Sequence, residues 1–206
     1  MSREILVRAS GLCFAFDGPD VLHDVGIELC AGSLTAIVGA NGSGKSTLIE
    51  ILAGLRPPRS GSVERSESVA LVVQRSRIPE RLPITVRETV AIGTWGARTA
   101  RRASRRAVDA ALCSVGLSAF ARRPIHALSG GQRQRALIAQ AIVRDAGIML
   151  LDEPTAGLDS EGRRSVRELL RRETARGRAV AWVTHDEADT AASDRIVRLA
   201  AGRRVA

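Results

Sequence analysis

The chain has 206 residues, 45% of them hydrophobic and 26% charged, which fits one folded domain and excludes a disordered tail protein. Its formal net charge is +9, and of its 31 basic residues all but Lys45 are arginine. With no tyrosine and an aromatic fraction of 2%, it lacks the stacking platforms of a single-strand nucleic-acid binder. The charge therefore reads as arginine used where lysine would otherwise serve, and no nucleic-acid partner is expected.

In chain order, residues 5–8 and 12–16 read as short strands and 21–29 as a third. The apolar run SLTAIV at 33–38 ends at Gly39, as a buried strand does. A helix is predicted from Gly44 to Leu52, stopped by Gly54 and the Pro57–Pro58 pair. Residues 69–73 form another buried strand. From 75 to about 144 the pattern turns helical and arginine-rich. Strands follow at 147–151 and 179–183, with a polar helix over 160–176 between them. Residues 195–199 and 203–205 predict a closing hairpin that turns at Gly202. Strands and helices alternating at both ends predict an α/β core into which the helical middle is inserted.

Cys13, Cys30 and Cys113 are odd in number and widely spaced, so neither a disulfide framework nor structural zinc is expected, and a reducing compartment is. The opening MSREILVRAS has no long apolar core of the signal-peptide kind. No stretch approaches the ~20 apolar residues of a membrane span. A cytoplasmic chain is expected.

Residues 39–47, GANGSGKST, fit the spacing G-x-x-x-x-G-K-[ST] between a strand and a helix. Glycines there let the chain curl with its N–H groups pointing inward, and those donors join the helix dipole in holding phosphate oxygens. Lys45 supplies a point charge for β- and γ-phosphates, and the Ser46 hydroxyl is placed to ligate Mg²⁺. The nucleotide set is Gly39, Ala40, Asn41, Gly42, Ser43, Gly44, Lys45, Ser46 and Thr47. At 148–153, IMLLDE places two carboxylates at a strand end: Asp152 to support Mg²⁺, and Glu153 to face the attacking water as general base. LSGGQ at 128–132 opens a strongly helical segment, a second anion-binding helix start.

These motifs, with Gln74 after VALVV, AGLD at 156–159 and His185 in VTHD, resemble in order and spacing the nucleotide-binding domain of ATP-binding cassette (ABC) proteins, over essentially the whole chain. The resemblance implies an α/β phosphate-loop NTPase fold. It has a mixed core sheet, an N-terminal antiparallel β part and a helical subdomain at about 75–144, inserted in a single domain over 1–206. It implies ATP and Mg²⁺ as ligands. It gives Gln74 the role of a Mg²⁺-sensing residue coupled to a membrane partner, Asp159 that of an aspartate crossing the dimer interface, and His185 contact with the γ-phosphate. Ser129, Gly130, Gly131 and Gln132 resemble the signature that closes over ATP held by the opposite subunit. A head-to-tail homodimer is implied, with Glu153, His185 and Lys45 carrying hydrolysis. The family usually stacks adenine on an aromatic residue near the N-terminus. Phe16 holds the matching place here, and Phe14 lies two residues away, as a core residue or a second candidate.

No long coiled coil interrupts these residues, and a single cassette without a fused membrane segment is expected. The resemblance is thus to the separate ATPase subunit of a bacterial transporter, peripheral on the inner face of the membrane beside permease subunits. An extracytoplasmic binding protein is then an indirect partner. The stretch 72–96 resembles ATPases serving zinc, manganese or iron importers, departing at Val73, where that group commonly has proline. Import of zinc or manganese is the expectation. Siderophore uptake, haem export and a non-transport envelope ATPase are the alternatives. Arg98, Arg101, Arg102, Arg105 and Arg106 fall at helical spacing and read as a solvated face, with an anionic lipid surface as the other option.

Overall fold

The computed structural model describes residues 3–73, 83–95 and 101–205, with side chains from residue 104 onward in the last range. Two sheets form the frame. The first is antiparallel, in the order β2-β1-β4, from β1 (Ile5–Ala15), β2 (Asp20–Cys30) and β4 (Ser60–Arg65). The second joins β3 (Ser33–Gly39), β5 (Val69–Val72), β6 (Ile148–Asp152), β7 (Ala179–Val183), β8 (Arg195–Ala200) and β9 (Arg203–Val205), in the order β5-β6-β7-β3-β8-β9. It is parallel except for the last strand. The helices are α1 (Lys45–Leu52), α2 (Val86–Ala91), α3 (Arg101–Ser114), α4 (Gly130–Val143), α5 (Ser160–Ala175) and α6 (Glu187–Ala191).

The parallel strands are covered on both faces, so they read as unbroken apolar runs. Their alternate residues nonetheless go to two different cores. Met149 and Leu151 of β6 and Val180 and Trp182 of β7 pack with residues of α2, α3, α4 and α5. Ile148 and Leu150, with Ala179, Ala181 and Val183, pack with α1 and the antiparallel sheet. Helices α2, α3 and α4 all lie in chain order between β5 and β6, two neighbouring strands of the large sheet.

The structure differs from the sequence expectations in places. The segments 5–8 and 12–16 are one strand, β1, which passes Gly11 through shifts in pairing register and a positive φ of 63°. That strand stops at Ala15, so Phe16 lies beyond its end. The β4 strand was not expected. Its sequence, SGSVER, has one partly buried residue, Val63, and is held by pairing with β1. The closing hairpin, β8–β9, turns at Ala201 and Gly202 as expected. Of the arginine face, Arg105 and Arg106 are exposed on α3. Arg98 and the side chains of Arg101 and Arg102 lie outside the described residues.

Asp194 fastens the start of β3. Its Oδ2 accepts the Leu34 N–H at 2.8 Å, and its Oδ1 accepts Arg171 Nη1 at 2.8 Å. Burial pushes the carboxyl up, but that backbone bond, Arg171 and Arg3 together hold it below the usual carboxylate range. A lowered folded-state value means the group stabilises the fold fully above about pH 4, where the unfolded chain is also ionised. The contribution is lost as pH falls through the folded-state value. Asp194→Ala is expected to cost about 1–3 kcal/mol at pH 7. In urea unfolding at a series of pH values, the gap to the unsubstituted chain should close as the pH falls below the ordinary aspartate range and through the lowered folded-state value.

Candidate functional site

Strands β6, β7 and β3 are neighbours in the parallel sheet, and each delivers candidate site residues from its C-terminal end, where ligands of such sheets bind. From β3 the chain enters the loop 39–44 and then α1. Two glycines there are required by space. A Cβ at Gly39 would lie 2.2 Å from the Leu199 carbonyl oxygen, and one at Gly44, whose φ is 96°, would lie 2.6 Å from Leu22 Cδ2. The loop is thus pressed against β8 on one side and β2 on the other. Lys45 is buried, and its ammonium donates to the carbonyls of Gly39 at 2.9 Å and Ala40 at 2.8 Å. Those bonds hold the cation in the curl of the loop.

A cavity of about 860 Å³ opens over this loop. Gly39, Ala40, Asn41, Gly42, Gly44, Lys45, Ser46 and Thr47 form its floor, Phe16 and Val21 one wall, and Glu153 and His185 the other. Ser43 is buried just beneath, and its hydroxyl has no partner among the described residues. Asp152 is also buried beneath the floor and bonds the Ser46 hydroxyl, while its Oδ1 is left without a partner among the described residues. Burial pushes the Asp152 carboxyl up. The Ser46 bond opposes this, the carboxylates of Glu153 and Glu50 add to it, and Lys45 counters it. A buried carboxylate oxygen without a partner among the described residues, beside a hydroxyl and next to the glycine loop, suits a divalent cation.

Glu153 has a φ of 47°, in the left-handed region that non-glycine residues rarely adopt. Such strain of about 1–3 kcal/mol persists where the surroundings over-determine the backbone, often at functional sites. Here it turns the chain off β6 at the cavity wall, and the Ala156 N–H closes the turn onto the Glu153 carbonyl.

Of the two phenylalanines, Phe14 is buried in the core and Phe16 is 53% exposed on the cavity wall. Their rings meet edge to face at 5.0 Å. The Arg56 guanidinium lies 4.9 Å from the Phe16 ring centroid and is ion-paired with Glu50 of α1. Val21, from β2, belongs to this cavity and was not foreseen. An isolated valine in a strand carries no signal of its own.

The LSGGQ segment lies elsewhere. Ser129 caps α4, its hydroxyl accepting the Gln132 N–H while the Gln132 side chain accepts the Ser129 N–H, a reciprocal capping box. Gly131 packs towards Leu158, and Asp159 caps α5 by accepting the Gly162 N–H at 2.7 Å. Ser129, Gly130, Gly131, Gln132, Leu158 and Asp159 border a second cavity of about 510 Å³, which shares no lining residue with the first. Arg135, Glu161 and Ser165 also line it and were not anticipated. Gln74 lies outside the described residues.

A glycine loop with a buried lysine, opposite an acidic strand end, defines a phosphate-loop nucleotide-binding protein. The ABC transporter family model matches residues 22–156. The chain is 37% identical over 193 residues to the zinc transport system ATP-binding protein TroB of Treponema pallidum, covering 87% of this chain and 72% of that one. It is also 37% identical over 193 residues to the manganese transport system ATP-binding protein MntB of Listeria innocua, covering 87% and 80%. The hemin import ATP-binding protein HmuV of Streptomyces coelicolor is 36% identical over 214 residues, covering 97% and 76%. Among solved structures, dimeric MJ0796, a bacterial ABC transporter cassette, superposes with a TM-score of 0.86 at 26% identity over 97% of each chain. This chain belongs to the ABC transporter family, as its ATP-binding, ATP-hydrolysing subunit.

Proposed function

We propose that the chain is one cassette domain over residues 1–206, with a helical subdomain at about 75–144, that powers a membrane permease importing zinc or manganese. The observation behind the site reading is the separation of the two cavities. One chain offers a phosphate loop on one cavity and a serine-glycine helix start on another, so two chains arranged head to tail complete two sites. The loop from Gly39 to Thr47 binds the triphosphate, Lys45 neutralises its β- and γ-oxygens, and Phe16 stacks on the adenine. Mg²⁺ would be held by Ser46, with Asp152 and Gln74 behind it, and would polarise the phosphate oxygens. Glu153 takes a proton from the water that attacks the γ-phosphorus, and His185 hydrogen-bonds the γ-phosphate. Ser129, Gly130, Gly131 and Gln132 of the second chain close over that phosphate, with Asp159 at the interface. Closure pulls on the helical subdomain through Gln74, and through it on the permease.

The metal assignment rests on relatives named for zinc and manganese transport, and on the resemblance of residues 72–96 to that group. Haem import is the second reading, favoured by the HmuV relative that covers 97% of this chain. On either, the chain sits at the inner face of the membrane, with an extracytoplasmic binding protein acting indirectly. Among the described residues no helix is long and apolar enough to cross a bilayer. The test is co-purification with the permease, followed by ATPase assays with binding protein loaded with zinc, manganese or haem. A zinc- or manganese-loaded binding protein is expected to raise turnover. Stimulation by the haem-loaded protein alone overturns the metal assignment in favour of the second reading.

A further inference from the structure

Asp189, in α6, is a carboxylate with no exposed surface. A buried charge persists when its oxygens are fully engaged, and these are. Oδ2 accepts the hydroxyls of Thr155 at 2.7 Å and Thr184 at 2.9 Å, and Oδ1 accepts Arg167 Nη1 at 2.7 Å. The three partners come from three different segments. Thr155 lies two residues after Glu153, in the turn leaving β6. Thr184 immediately precedes His185, in the loop leaving β7. Arg167 lies on α5, the helix that Asp159 caps. A second acid tightens the same knot. The Asp186 N–H donates to the Thr184 hydroxyl at 3.1 Å, and Asp186 Oδ2 accepts Arg163 of α5 at 2.8 Å.

We propose that Asp189 is a positioning residue for ATP hydrolysis. It fixes the Glu153 turn, the His185 loop and α5 in one register, so that a shift at one of them is passed to the other two. The inference rests on the roles given above to Glu153, His185 and Asp159. Asp189 itself touches no nucleotide, since it lies outside both cavities. The acceptor count explains why an isostere changes the knot. The amide of Asp189→Asn places an NH₂ group either against the two threonine hydroxyls or against the Arg167 guanidinium. Against Arg167 it sets donor against donor; against the threonines it makes both hydroxyls turn from donors into acceptors, and in either case the negative charge facing the guanidinium is lost.

The experiment measures kcat and KM for ATP in D189N, with folding followed by circular dichroism. The expected result is a KM within about threefold of the unsubstituted chain and a kcat lower by about tenfold or more. Thr155→Ala and Thr184→Ala should each lower kcat on their own, yet change it less than about twofold in the D189N background, because groups acting through one partner are not additive. Thr155→Ser, which keeps the hydroxyl, should retain most of the activity. A purely structural role predicts a lower unfolding midpoint with wild-type kcat well below it, and that result overturns the proposal. If D189N does not fold, the threonine variants decide: sub-additive losses in the double variant support the proposal, and additive losses overturn it. An unsubstituted chain without Lys45-dependent turnover overturns the parent reading and this one with it. Full activity in both the unsubstituted chain and D189N overturns this one alone.

Discussion

Glu153→Gln is expected to bind ATP as the unsubstituted chain does and to lose turnover by about 10²–10⁴-fold, the usual worth of a general base. Glutamine keeps the size of the side chain but removes its charge and its ability to take a proton. The turn is closed by a backbone bond from the Ala156 N–H to the Glu153 carbonyl, which the substitution keeps, and the loop proposed to hold the phosphates is built from other residues. Binding and hydrolysis should therefore separate cleanly. With closure intact and reopening stalled, an ATP-loaded dimer should accumulate and elute at twice the monomer mass in size-exclusion chromatography with ATP and Mg²⁺. Hydrolysis at the wild-type rate would remove Glu153 as the base.

Ser129→Arg should have an effect as large, by a different route. Losing the cap on α4 costs about 1 kcal/mol, too little to unfold the chain. The substitution is remote from the phosphate-loop cavity of its own chain, whose lining does not include Ser129. One chain should still bind ATP, yet the bulky cation blocks the face meant to close over the partner's phosphate, and turnover should vanish. A mixture makes the test sharper. Ser129→Arg spoils the signature face and Lys45→Ala spoils the phosphate loop, so a mixed dimer keeps one intact site built from the two undamaged halves. Mixing the two inactive proteins should restore part of the activity. No recovery, or normal turnover by Ser129→Arg alone, would sink the shared-site arrangement.

The sequence was most legible where chemistry forces residue types into a short span. The loop at 39–47 and the acidic strand end at 152–153 lie where their spacing predicted, because strand, glycine turn and helix are all local. It was least legible where a residue owes its place to a distant partner. The β4 strand has too little apolar surface to announce itself and exists because β1 offers it a ladder. Residues 12–16 read as one strand carrying both Phe14 and Phe16, but the strand ends between them, with one ring in the core and the other at the cavity. Asp189 sits in the run DEAD, which reads as a solvated acidic stretch. Only the meeting of Thr155, Thr184 and Arg167 shows why that carboxylate is buried.

The contact between Arg56 and Phe16 has a consequence for nucleotide capture. Phe16 is held between the edge of Phe14 and a guanidinium, and that guanidinium is tied to Glu50 on α1. The helix that begins at the phosphate loop thus also braces the aromatic wall. The two ends of the cavity are thereby linked through α1, Glu50 and Arg56, like the jaws of a caliper joined by one bar. A ring already braced by Phe14 and Arg56 loses less freedom on binding than an unbraced one, which favours affinity. In the proposed role for Phe16, a ring without a hydroxyl can then serve as the outer jaw, because it is supported from behind.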